Sequence, residues 1–429
     1  MESKEIAKIE FIKGREILDC RGHPTIEVDV YTDNGVIGRA DAPAGKSRGT
    51  YEAVEKRDND HRYGGLGVKK AVNIVNEIIN PLLKGLEITN QRNLDYTMIE
   101  ADGTPDKSKF GGNTMVATSI AIAKAAAASL SIPLYRYVGG PNACVLPVPM
   151  FLYLCGGKIS HTDLDIQELS ASPTGAKNFS EALRMGSEVY YKLGEILSKK
   201  YSKYSLNTGD EGSFSPKGLI DPRDGYELIL QAIEEAGYGG KFVLAMDAAA
   251  TSFYDHKSKK YLYMSKKISK EQLMSEYEDL VKTFHIRSIE DPFEENDFEG
   301  TAEITKKLGI QIVGDDLFVT NKNRLKKGVE AHAGNTILFK VNQVGTLTEA
   351  LETADTAMKN GYSILASERS GQTEDNWLAD VTVGLNAGQI KNGTTTRSER
   401  VSQFNQLLRI EEELGLRAVF AGKKYNKFL

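Results

Sequence analysis

Residues 312–321 read IVGDDLFVTN. An apolar, strand-like start runs straight into two adjacent carboxylates, Asp315 and Asp316. Asp commonly closes a turn or caps a helix. Paired acids at a strand end also suit a metal ion. The surrounding chain bears on the choice. Short apolar runs recur around this stretch: FVLAMD, IRSIED, TILFKVN and YSILASER. Longer helical stretches lie between them. The steps from Asp247 to Glu290, Asp315, Lys340 and Arg369 are 43, 25, 25 and 29 residues, and all but the first match one β-α unit. Parallel strands with helical crossovers follow, and so many predict a closed α/β barrel. Each run ends in charge: Asp247, Glu290, Asp315, Lys340, then Glu368 with Arg369. The C-terminal ends of barrel strands share one mouth, where such folds keep their sites. Caps explain one such acid well and five successive charged ends poorly. Converging carboxylates repel, a divalent cation relieves that, and an all-oxygen set favours magnesium or another hard ion.

The chain before this region is organised differently. TIEVDVYTDNGVIGRA alternates around Asn34-Gly35, a hairpin signal within a β-rich segment 1–45. Residues 68–100 and 113–130 read as helices. The second, NTMVATSIAIAKAAAASL, is apolar nearly all round and so predicts a buried helix. The Gly- and Pro-rich stretch 131–149 reads as a domain junction. Two domains are expected, 1–137 as α+β and 138–429 as the barrel, in keeping with 429 residues. A net charge of −5 without a basic block argues against nucleic-acid or anionic-membrane partners. No apolar run approaches a membrane span, and the N-terminus lacks a secretory pattern. Three cysteines without CxxC spacing fit a reducing cytoplasm.

Ten stretches then resemble one family in order: REILDCRGHPTIEVDVYT, LPVP, QELSASPTGA, NTGDEGSFSP, SIEDPFEENDFEG, IVGDDLFVTN, LFKVNQVGTLTEA, SERSGQTED, GQIKNG and RSERVSQFNQLLRIEEEL. The chain is similar to enolases of archaeal type along nearly its whole length. The resemblance implies an N-terminal α+β domain before an eight-fold α/β barrel, a homodimer or higher homo-oligomer, and dehydration of 2-phosphoglycerate to phosphoenolpyruvate. It implies Asp247, Glu290 and Asp315 as ligands of one magnesium. Ser47 matches a loop serine that reaches a second magnesium arriving with substrate. Lys340 matches the base. Magnesium and Lys391 beside it should lower its pKa. Glu168 and Glu211 match the pair that assists departure of the C3 hydroxyl. Arg369 and Ser370 match phosphate anchors. Gln167 and Lys391 match further substrate contacts, and Glu27 and Arg409 match a charge pair across the dimer.

The departures from the family cluster. The first loop reads AGKSRG, bringing Lys46 and Arg48 beside Ser47 where enolases read S-G-A-S-T-G. Ile159 stands where the family has a histidine, with His161 two residues on. Leu152 and Cys155 replace asparagines, and Gln372 replaces a glutamate. Glu368 replaces a histidine beside the leaving group. A third carboxylate near Glu168 and Glu211 must be protonated, metal-bound or paired. Lys46 or Arg48 is the expected partner when the loop closes, with all three counted among the substrate contacts. Three functions follow. A working enolase accords with the retained base, acids and anchors. A lyase on a related phosphorylated carboxylic acid with a different C3 group accords with Glu368 and the altered loops. A catalytically silent binding protein accords with the two lost histidines alone.

Overall fold

The computed structural model describes residues 6–46, 48–160, 162–201 and 206–422. The N-terminal part opens on an antiparallel sheet of β1 (Ile9–Leu18), β2 (Pro24–Thr32) and β3 (Ile37–Asp41), in that order. Gly35, at φ +83°, supplies the left-handed residue that the β2–β3 turn requires. Helix α1 (Gly112–Ser129) is buried over almost its whole length. Its small residues allow close packing on the sheet. A Cβ at Gly38 would lie 2.1 Å from the Ala121 carbonyl oxygen and 2.8 Å from the Ala125 methyl. The helix read over 68–100 is broken. Helical pieces cover Lys69–Leu83, and another helix covers Gln91–Asp102. Between them Gly85 adopts φ +82°, and Ile88 and Gly85 pair with the first strand region instead. Among the described residues no single helix is long and apolar enough to cross a membrane.

The C-terminal part is a closed eight-stranded barrel. Its strands are β4 (Val148–Cys155), β5 (Glu168–Ser172), β6 (Val243–Asp247), β7 (Ser288–Glu290), β8 (Gln311–Gly314), β9 (Thr336–Phe339), β10 (Ser363–Ser367) and β11 (Gln389–Lys391). The expectation of parallel strands holds from β6 to β11 and on to β4. It fails at β5, which is antiparallel to both neighbours. The reversal explains an acid that the strand-end pattern did not include. Glu168 begins β5 rather than ending it, yet it lies opposite Asp247 and Cys155 at the same mouth. Met150, Ala245, Val313, Leu338 and Leu365 form an apolar cluster within the barrel strands. Helices α2 (Phe179–Lys200) and α3 (Pro222–Glu235) join β5 to β6, and α4 (Ser398–Leu414) follows β11.

The two parts are joined around the mouth. Ala44 and Gly371 exchange backbone hydrogen bonds of 2.8 and 2.9 Å. The Asn342 amide donates to the Pro43 carbonyl, and Lys107 pairs with Glu349 at 2.8 Å. The segment after β3 is thereby laid across the barrel strands' C-terminal ends.

Candidate active site

Burial of charge is the main feature of the mouth. Lys391, at the end of β11, places its Nζ 2.9 Å from Asp247, 2.8 Å from Glu290 and 3.1 Å from Glu168. The register explains this, because Asp247 lies directly between Glu290 and Glu168 on neighbouring strands. The Gln167 amide donates to the same Asp247 oxygen. One residue beyond β9, Lys340 donates to Asp315 at 2.6 Å, and Gln343 donates to the other Asp315 oxygen at 2.7 Å. Thus Asp315, the first acid of the opening pair, is paired with Lys340 at the end of the neighbouring strand. A cavity of about 30 Å³ is lined by Gly45, Ile159, Gln167, Glu168, Glu211, Asp247, Asp315, Lys340, Glu368, Arg369, Ser370 and Lys391, among others. The free space between these mutually paired side chains is small.

The ionisation of these groups follows from burial opposed by pairing. Burial pushes Glu168 up to about 8, with Lys391 only partly offsetting it. Burial and the Asp247 charge hold Glu290 well above the carboxylate range. Asp315 is buried too, yet Lys340 draws it below its ordinary value. For Lys340 itself, burial works downward, but Asp315 and Glu290 carry the amine above its ordinary value. The lowering expected from Lys391 is present and is outweighed among the chain's own charges. Lys391 is likewise raised, because three carboxylates outweigh its burial.

The donor set fits a hard cation. Glu290 is 3% exposed, and its Oε1 has no hydrogen-bond partner. An orphaned buried carboxylate oxygen is costly in a closed site, and a cation satisfies it. Among the described residues, the acids whose carboxylate oxygens all lie within 4.8 Å of one another are Asp291, Asp315 and Asp316. Asp291, however, accepts from the backbone amides of Asp315 and Asp316 at 2.9 and 2.8 Å. Its carboxylate therefore shapes the turn after β8.

The turn after β10 brings Arg369 and Ser370 to the same cavity. Arg369 is buried and pairs with Glu52 at 2.8 Å and Asn342 at 3.1 Å. The Ser370 hydroxyl accepts from the Lys46 amide at 2.8 Å and from Arg21 at 3.4 Å. Glu368 overturns the expected pairing. Its partner is Arg400, from the first turn of α4, and not a loop cation. Lys46 instead reaches Asp210 at 3.1 Å, and Arg48 pairs with Glu55. Both loop side chains are partly open to solvent, Lys46 beside a partly exposed Asp210 and Arg48 beside a Glu55 side chain that is itself only 8% exposed. Ser47 and His161 lie outside the described residues. Leu152, Cys155 and Ile159 form a small apolar cluster beside the cavity. Burial pushes the Cys155 thiol up to about 11, as suits a packing residue rather than a nucleophile.

Reading the sequence missed Glu52, Asn342, Gln343, Asp291 and Arg400. Asp291 had a signal, since it doubles the acid at the end of β7 as Asp316 doubles Asp315. Arg400 had none beyond lying in a matched stretch.

Comparison with known proteins accords with this geometry. Residues 9–138 match the family model described as the enolase N-terminal domain, and residues 143–429 match that of the enolase C-terminal TIM barrel domain. The chain is 51% identical over 419 residues to the enolase of Methanocaldococcus jannaschii, covering 98% of each chain. It is 50% identical to the enolase of Methanopyrus kandleri, covering 98% of this chain and 99% of that one. It is also 50% identical to the enolase of Pyrococcus furiosus, covering 97% of each. The α+β unit, the closed barrel and the two matched models together place this chain in the enolase family.

Proposed function

We propose that the protein is a magnesium-dependent hydro-lyase that converts 2-phosphoglycerate to phosphoenolpyruvate. The observation that carries this reading is the opposition of Lys340 to Glu168 and Glu211 around a cavity that also holds Arg369 and Ser370. Similarity to three proteins named enolase supports it. Arg369 and Ser370 bind the phosphate, with Glu52 yielding its place on the Arg369 fork. Lys340 accepts the C2 proton at Nζ once Asp315 is engaged elsewhere. Glu168, held near 8, retains a proton at neutral pH. Together with Glu211 it supplies that proton to the departing C3 hydroxyl. Gln167 and Lys391 orient the carboxylate end. Asp247, Glu290 and Asp315 would hold one magnesium, and Ser47 would serve a second that arrives with substrate. The metal, when bound, stabilises the charge that develops on the substrate carboxylate.

The enzyme acts in glycolysis or gluconeogenesis, in the cytoplasm, as a homodimer, with the division of its two domains at 137/138. Cys20, Cys144 and Cys155 are all free thiols, as suits a reducing compartment. Glu27, assigned to the dimer contact with Arg409, is already bound by Arg15 within its own chain. It would therefore bring a shared charge network to the interface. A second reading is favoured by Glu368: the substrate is a related phosphorylated carboxylic acid with a different C3 group. Phosphoenolpyruvate absorbance from 2-phosphoglycerate with magnesium distinguishes the two. Turnover comparable to that of a relative such as the M. jannaschii enolase supports the first. Tight binding without turnover rejects it and points to the second or to a catalytically silent binding protein.

A further inference from the structure

Glu368 brings a third carboxylate to a mouth that already buries Glu168 and Glu211. Its compensation comes from Arg400, which is fully buried. The contacts of that guanidinium reach beyond one ion pair. Nη1 donates to the Glu368 carboxylate and, at 2.8 Å, to the Arg369 carbonyl. Nη2 donates to the Ser370 carbonyl at 2.8 Å and contacts the Asp210 carbonyl at 3.5 Å. One fork therefore spans three consecutive residues of the turn. It also touches the residue before Glu211. Arg400 is fixed in turn, because Asn392 donates to its carbonyl at 2.8 Å.

We propose that Arg400 is a positioning residue that holds the 368–370 turn in the shape that aims Arg369 and the Ser370 hydroxyl at a bound anion. The inference rests on the reading of Arg369 and Ser370 as anion anchors. A planar guanidinium can satisfy several acceptors in fixed directions, and an ammonium on a flexible stem cannot reproduce that fork. Ion pairing alone needs only the Glu368 contact. The two turn carbonyls are what neutralising Glu368 leaves unexplained. Arg400 reaches the turn from the first turn of α4 and acts through its backbone carbonyls.

The test uses the full chain and four forms: wild type, Glu368→Gln, Arg400→Lys, and Arg400→Met combined with Glu368→Gln. The last removes both members of the ion pair and leaves no unpaired buried charge. Amide hydrogen exchange reads the turn directly. In the double variant, exchange at the backbone amides of positions 368 and 371 should rise about tenfold or more over Glu368→Gln, while the other barrel strands keep their protection. Inorganic phosphate affinity by calorimetry and KM for 2-phosphoglycerate should both weaken about tenfold, with kcat changed less than about threefold. Arg400→Lys should fall between wild type and the double variant. Unchanged turn protection would overturn the proposal. So would phosphate affinity and KM within about twofold of Glu368→Gln, since Arg400 would then merely balance charge. A loss of protection throughout the barrel would also overturn it, showing a general structural role. If wild type binds neither phosphate nor 2-phosphoglycerate, the function proposed above fails. Exchange at the turn still decides whether Arg400 holds it.

Discussion

At one end of the barrel a single amine, Lys391, touches three carboxylates. Toward the other, where β8, β9 and β11 begin, Gln311 donates to Thr336 at 3.1 Å and to Gln389 at 2.8 Å. Both ends are buried and both are polar. The difference is in the cost of each. Neutral amides and hydroxyls cost less on burial than charge does, even with Gln311 Oε1 and Gln389 Nε2 left without partners, whereas a buried charge must be paired with another. The Gln311 end can persist for stability alone. The Lys391 end stays together only through mutual neutralisation. On the proposed function, charge is concentrated where ligands redistribute these pairs.

The largest test of this contrast is at Lys340. Lys340→Met should reduce phosphoenolpyruvate formation by about 10³-fold, as loss of a general base does. A folded variant, checked by circular dichroism, that keeps near-normal turnover would remove Lys340 from the chemistry. The metal set comes next. Asp247→Asn with Glu290→Gln should weaken magnesium binding by at least about tenfold in calorimetry, because two anionic ligands are lost. Undiminished binding would transfer the ion to the Asp291, Asp315 and Asp316 cluster. At the neutral end, Gln311→Leu should lower stability by about 1–3 kcal/mol in urea unfolding, with KM unchanged. A large change in KM there would break the division of labour between the ends.

The smallest effect sharpens the point about charge by testing one buried acid away from the mouth. Asp380 accepts from the Tyr135 amide and from Gln406, and burial pushes it up to about 6. The folded chain then holds this proton more tightly than the unfolded chain. Its contribution is favourable below the ordinary carboxylate range and is lost as pH rises through about 6. Asp380→Asn should therefore stabilise the protein by about 1 kcal/mol at pH 7.5, and the gain should disappear by pH 4. Thermal melts across that range check it. An equal gain at both pH values would mean that Asp380 titrates normally.

Much of this arrangement can be read from the chain because barrel strands repeat. Asp247, Glu290, Asp315 and Lys340 stand at or one residue past the ends of their strands, where hydrophobic runs stop. Glu168 could not be found in that way, since its strand runs backwards and the acid precedes the apolar residues. The pairing of Glu368 was misjudged for a different reason. Lys46 and Arg48 were the conspicuous new cations, but the actual partner lies 32 residues further on, on a helix. Glu52 on Arg369 spans 317 residues. Hydrophobic periodicity locates elements and their faces. It carries no information about which of many cations packs against a given acid.

The backward run of β5 also alters how the mouth can be elaborated. In an all-parallel barrel every strand begins at the far end, so each connection must travel the barrel's length before the next strand starts. Here β4 finishes and β5 starts at the same rim. The stretch between Cys155 and Glu168 is free to serve as a short flap across the opening, and it carries Ile159 and Gln167 to the cavity. From the far end of β5 the chain makes a round trip: α2 climbs, Glu211 reaches the cavity at the top, and α3 descends to β6. One inverted strand thus brings two loop segments to the cavity. On the proposed function, substrate preference changes through positions such as Ile159 while the strands that carry Lys340 and Lys391 remain as they are.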